Sequence, residues 1–276
     1  MKKRGELTTQ QIVGLIILIV SFSIILLFIF RLDLGQTTDK EICHNSVVLK
    51  SQSVLDSGNL DCKTSYVCIS GGGECEGINP TRTIDINLND DVKNQVFNAI
   101  AEEMSDCWWM FGEGEIDYSS GIDLGVNEKL CSLCSVVSFD ENIQNKLEKL
   151  NSNEKTLGEF YKYLKTNEKE EGTFYLEYLT GKNTYEESEE FYTREIDFSS
   201  EYVILTGIAK KGFLGSIINS ASGYVDWFND VFFSWIDYYI VEIPNAKEDE
   251  LVAIPVLFMP KENLNDLQCD SYLTKA

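Results

Sequence analysis

Histidine is almost missing from this chain: His44 is the only one in 276 residues. A hydrolytic triad usually takes its base from histidine, so that chemistry is confined to one position beside Cys43. Neither a G-x-S-x-G elbow nor an H-E-x-x-H zinc motif occurs. Arginine is scarce too, present only as Arg4, Arg31, Arg82 and Arg194, and the chain sets 23 basic against 45 acidic residues for a formal net charge of -22. Binding to a phosphate backbone needs clustered cations, so nucleic acid is not an expected partner. The 43% hydrophobic and 12% aromatic content nonetheless supplies a large core, which argues against disorder.

What the sequence does have begins with residues 12–30, IVGLIILIVSFSIILLFIF, nineteen residues without a charge. About 20 apolar residues cross a bilayer core of about 30 Å as a helix. The run is too long for the apolar region of a cleavable secretory signal, and Phe30 and Arg31 follow it in place of small residues. A single-pass anchor is therefore expected over 12–30. Residues 1–11 form a cytoplasmic amino terminus, because Lys2, Lys3 and Arg4 lie on that side. A polar stalk over 31–42 and an extracellular domain over 43–276 follow. Residues 32–276 hold 19 basic and 44 acidic side chains, an excess that disfavours adhesion to anionic lipid.

All eight cysteines (Cys43, Cys62, Cys68, Cys75, Cys107, Cys131, Cys134 and Cys269) lie beyond the anchor. An even number in an external domain reads as disulfides. Cys68 with Cys75 would close over the Gly71-Gly72-Gly73 turn, Cys107 would take Cys131 or Cys134, and Cys269 would reach the amino-terminal part. Cys131-Ser-Leu-Cys134 lacks a second such pair for zinc, and the strand-like VVSF after it does not suit a redox motif at the head of a helix.

The fold class expected is α+β, with mainly antiparallel strands and several amphipathic helices. The runs SVVL and SYVCIS look like β structure, as does TIDINL over 83–88. TIDINL overlaps a D-x-N-x-N start of a calcium loop, but Asp90 and Val96 occupy the positions of that loop's Gly and Glu. Asn89-Asp90-Asp91 heads a helix whose Val92, Val96, Ile100 and Met104 recur every four residues. Continued, it carries Cys107 and Phe111 inward and ends at Gly112. Trp109 then falls on the polar face, either as a contact for a protein partner or as a ring covered by another layer of the chain.

Ser138-Phe-Asp-Glu141 and Thr156-Leu-Gly-Glu159 are capping-box patterns for two short helices, the first continued by Ile143, Leu147 and Leu150. GTFYLEYLTG suggests a hairpin strand, and a subdomain boundary is placed within 165–195. Further strands are expected at 202–209, 238–243 and 251–259, with Pro255 requiring an edge or a bulge. Between the first two, residues 213–236 carry an apolar stripe opposite an acidic face, suited to core packing or a protein partner rather than to a membrane surface. Glu113, Glu115 and Asp117 are the candidate cation ligands or carboxylate pair; no cofactor is expected.

Two resemblances bear on function. Arg4-Gly5-Glu6-Leu7 before a hydrophobic helix resembles the processing site of archaeal class III signal peptides, cut after the glycine to release a filament core, although Gln10 stands where pilins often carry Glu. The segments EICHNSVVLK, LDCKTSYVCIS, DCWWMFGEGE and CSLCSVVSFDENI, with the anchor KKRGELTTQQIVGLIILIV, resemble uncharacterised membrane-anchored surface proteins of small-genome archaea over much of residues 1–143. That resemblance implies a cell-surface address and transfers no catalytic residue. The expected function is a structural or protein-interaction role at the cell surface, with a pilin-like subunit or a carboxylate-based hydrolase as alternatives.

Overall fold

The computed structural model describes residues 9–31, 34–52, 60–119, 129–181, 194–210, 241–243, 251–267 and 269–275. The chain divides into two compact units, Met1–Asp39 and Lys40–Ala276. In the first, the apolar run is helical as α1 (Thr9–Arg31). Its described side chains, residues 13–24, are all exposed, and twelve residues advance only about 18 Å. Among the described residues, no helix is long and apolar enough to cross a membrane. The remaining side chains of the expected anchor, and the processing motif at 4–7, lie outside the described residues.

The SVVL run belongs to helix α2 (Leu34–Gln52), which also takes in residues 34–42 of the polar stalk and corrects the expectation of a strand at SVVL. Cys43, Val47 and Lys50 are buried at spacings of four and three, a helical period that SVVL read alone conceals. There follow β1 (Ser65–Ser70), β2 (Arg82–Asp85), α3 (Val92–Met110), β3 (Lys129–Phe139), α4 (Glu141–Leu147) and α5 (Leu157–Thr166). The chain continues through β4 (Glu168–Glu170), β5 (Thr173–Phe174), α6 (Tyr175–Thr180), β6 (Tyr202–Lys210), β7 (Val241–Glu242), β8 (Leu251–Pro260) and β9 (Ser271–Tyr272).

The main sheet has the order β2-β1-β3-β6-β8-β7, and β9 pairs with β3. It is mixed: β1 runs parallel to β2 and β3, as β9 does to β3, whereas the long β3–β6 and β6–β8 ladders are antiparallel. β6 and β8 are buried at successive positions, so both faces of the central sheet are covered. This explains their unbroken apolar sequences. α3 lies against β3, β6 and β8.

Two bulges shape the centre. The β6–β8 register shifts between Leu205↔Leu257 and Gly207↔Ile254, which places Pro255 at the irregularity, while the Thr206 hydroxyl donates to the Ile254 carbonyl at 2.6 Å. The β3–β6 register shifts between Leu133 and Ser135. In a regular strand, neighbouring residues point to opposite faces. Here Cys134 is bridged to Cys107 and Ser135 donates to Glu103, so both neighbours reach α3. The extra residue permits this by breaking the alternation.

Helix starts follow local chemistry. Asp91 caps α3 by accepting the Asn94 N–H at 3.2 Å, and Thr156 caps α5 through the Glu159 N–H at 3.1 Å. The cap of α4 is Asp140, not Ser138, because Ser138 is held in the β1–β3 ladder opposite Cys68; α4 ends at Leu147, before Leu150. GTFYLEYLTG contributes only Thr173–Phe174 to a strand and then becomes α6, ended by Gly181 at φ 69°. Its buried Tyr175, Leu176, Leu179 and Thr180 have helical spacing. Strand β2 stops at Asp85, although Ile86 is buried. The expected boundary at 165–195 falls inside the second unit, with 182–193 outside the described residues, as are 213–236 and 238–240.

All eight cysteines are paired: Cys43–Cys62, Cys68–Cys75, Cys107–Cys134 and Cys131–Cys269. Cys269 thus reaches the middle of the chain rather than its amino-terminal part, correcting that expectation. β9 explains why, since it lies along β3 with Cys131 opposite Tyr272. The Cys68–Cys75 loop is drawn onto Asp140, whose Oδ2 accepts the N–H groups of Gly71 at 2.9 Å and Gly73 at 2.7 Å. Burial pushes the Asp140 carboxyl up, but the Ile143, Gly71 and Gly73 N–H groups and the Ser70 hydroxyl outweigh it and hold the pKa below the ordinary value.

Candidate functional site

α3 carries a buried carboxylate and several polar contacts. Its stripe Val96, Ile100, Glu103, Cys107 follows the four- and three-residue steps of one helix face, so Glu103 occupies a core position at 2% exposure. A buried carboxylate requires partners. Arg82 from β2 donates to Glu103 Oε1, Lys40 from α2 lies 3.8 Å from the same oxygen, and the Ser135 hydroxyl donates to Oε2 at 3.0 Å. Lys40 also pairs with Asp106, which stands 4.0 Å from Arg82. This network joins α2, β2, α3 and β3.

One turn further on, Trp109 is half-buried and the His44 ring stacks on it, with centroids 4.3 Å apart and an 11° interplanar angle. His44 Nδ1 is 2.8 Å from the Trp109 carbonyl oxygen. A carbonyl can only accept, so this contact places the proton on Nδ1. One face of the Trp109 ring is therefore covered by α2, while the residue as a whole stays half-buried. The sole histidine serves as a lid on a tryptophan, and with every cysteine bridged no thiolate nucleophile exists.

The helix ends as Gly112 allows. The Gly112 N–H reaches the Trp109 carbonyl at 3.0 Å, and the Glu113 N–H reaches Trp108 at 2.9 Å, a Schellman closure with Gly112 at φ 79°. A side chain at Gly112 would also strike Ile116. Glu113, Glu115 and Asp117 then part company. Glu113 accepts from the Tyr178 hydroxyl, Glu115 is exposed, and Asp117 Oδ1 accepts from the Ser119 N–H at 2.9 Å and its hydroxyl at 2.6 Å. Among the described residues, no group of three or more His, Cys, Asp or Glu could hold a metal ion.

On the other flank of α3, Tyr175 donates to Glu102 and Tyr163 donates to Asn98 at 3.0 Å. Burial, and then Glu102, push the Tyr175 hydroxyl well above its ordinary range; burial and Glu113 do the same to Tyr178. These phenols stay protonated and act as donors. Beside them a groove of about 530 Å³ runs between β2 and α3, lined by Arg82, Ile84 and Asp85 of β2, by Ile86 just after it, and by Asn94, Gln95, Asn98, Ala99 and Glu102 of α3, with Asp90 and Asp91 at its end.

Sequence reasoning did not single out Arg82, Glu103, Lys40 or Asp106. One signal was present: a glutamate on the apolar stripe between Ile100 and Cys107. No family model, curated protein or solved structure matches the chain.

Proposed function

We propose that this is a cell-surface protein in which residues 12–30 anchor the chain in a bilayer and Lys40–Ala276 stands outside as a disulfide-braced module with a structural or protein-binding role. The observation that carries this reading is the pairing of all eight cysteines, since disulfides persist in oxidising compartments. The uncharged run at 12–30 and the resemblance to archaeal surface proteins support the same address. A binding role suits a domain whose only histidine packs against Trp109 and whose Tyr175 and Tyr178 are tied to carboxylates.

The test is a membrane-impermeant amine cross-linker applied to intact cells. Lysines of the Lys40–Ala276 unit are expected to react without permeabilisation and to join defined neighbouring proteins. Reaction only after permeabilisation would remove the proposed address. Turnover of an envelope polymer by the purified chain would favour the carboxylate hydrolase instead, and a native amino terminus beginning at Glu6 would favour the pilin-like subunit.

A further inference from the structure

The geometry points to the groove between β2 and α3 as the docking site for an extended, basic segment of a protein partner, added as a strand to the outer edge of β2. This deepens the interaction role proposed above and rests on it. β2 closes one end of the sheet and pairs only with β1 among the described residues. The Ile86 N–H donates to the Ser70 carbonyl on the β1 side at 2.7 Å. Backbone groups alternate sides along a strand. Ile84 therefore faces β1 as Ile86 does, and the N–H and C=O groups of Thr83 and Asp85 face outward. Both residues are exposed. An added strand satisfies such outward groups and draws main-chain affinity from them.

α3 makes this edge a groove. Ile84, Ile86 and Ala99 provide an apolar floor, and the four residues of β2 give a docking length of about 13 Å. Charge selects the occupant. Arg82 is engaged by Glu103, whereas Asp85, Asp90, Asp91 and Glu102 line the remaining surface. Lys or Arg side chains on the incoming strand complement those carboxylates, while a second copy of a chain with net charge -22 is repelled.

The probe is a fluorescent, end-capped peptide of alternating lysine and valine, titrated into the full-length chain and read by anisotropy. It is expected to bind, and to lose about tenfold in affinity when alternate peptide nitrogens are methylated, because strand pairing then loses its donors. A similar loss is expected for Asp85→Lys with Asp90→Lys, two exposed positions whose replacement leaves the core intact. A glutamate-valine peptide should not bind. Failure of the lysine-valine peptide to bind, or binding indifferent to N-methylation, overturns strand addition. If cross-linking at the cell surface still recovers the same partners from the Asp85→Lys, Asp90→Lys chain, the groove is excluded while the interaction role stands on another face.

Discussion

Replacing Cys131 and Cys269 together by serine is expected to destabilise the Lys40–Ala276 unit by about 4 kcal/mol, more than the loss of any other bridge. In the chain-entropy account, the denatured state gains freedom with the length of the released loop, and the separation of 138 residues is the longest of the four. The other bridges span 19, 7 and 27 residues. None of them has both ends within 131–269, so none shortens that loop. The figure lies below the bare value for so long a loop, about 5 kcal/mol, because a real denatured chain is already more compact than a free one. The native side suffers as well. β9 contributes only two residues, held on β3 by Asp270 on the Lys129 N–H at 2.7 Å and by the Thr274 hydroxyl on the Leu133 N–H at 3.1 Å. Freed of its bridge, so short a strand opens first. Hydrogen exchange should therefore quicken at 271–275 before anywhere else in the sheet, and the denaturant midpoint should fall while the slope steepens, because the released denatured chain exposes more surface.

The second large effect belongs to Arg82. Changing it to alanine strands Glu103, a carboxylate 2% exposed, with Lys40 at 3.8 Å and the Ser135 hydroxyl as its remaining partners. Removing one member of a buried pair costs about 3–5 kcal/mol. Lys40 places the expected loss at the low end, about 3 kcal/mol, or a melting temperature lower by about 6–12 °C. Arg82→Ala combined with Glu103→Leu should cost clearly less than the sum of the single changes, because the stranded charge is gone. Additive losses in that thermal-denaturation cycle would mean that Glu103 is not held by Arg82.

Where sequence and structure agree, the cause is local. α3 was legible because its apolar residues recur at one helical period and Asp91 caps it within one turn. β6 and β8 were legible as unbroken apolar runs. Pro255 could not remain in a regular central ladder, and the bulge is the solution the chain adopts. The Cys68–Cys75 bridge spans a glycine turn that few other pairings could use.

Where they diverge, the decisive contact is distant in sequence. SVVL is as good a strand as a helix until Cys43, Val47 and Lys50 are seen to share one buried face. Ser138 would cap a helix if the β1 ladder did not claim it first. The parallel pairings of β1, β2 and β9 depend on crossovers that no periodicity announces. Trp109 looked unpartnered on its own helix because its cover, His44, is 65 positions away. The Arg82–Glu103 pair, 21 positions apart, left a trace only as a carboxylate on an apolar stripe.

Non-reducing peptide mapping of the native protein, alkylated as the cells are broken and recovered from the membrane fraction, bears most directly on the central claim. The expected result is no alkylated cysteine and four linked peptide pairs: Cys43 with Cys62, Cys68 with Cys75, Cys107 with Cys134, and Cys131 with Cys269. Recovery of the protein in the soluble fraction with alkylated thiols at these positions would contradict both the external address and the bracing that depends on it.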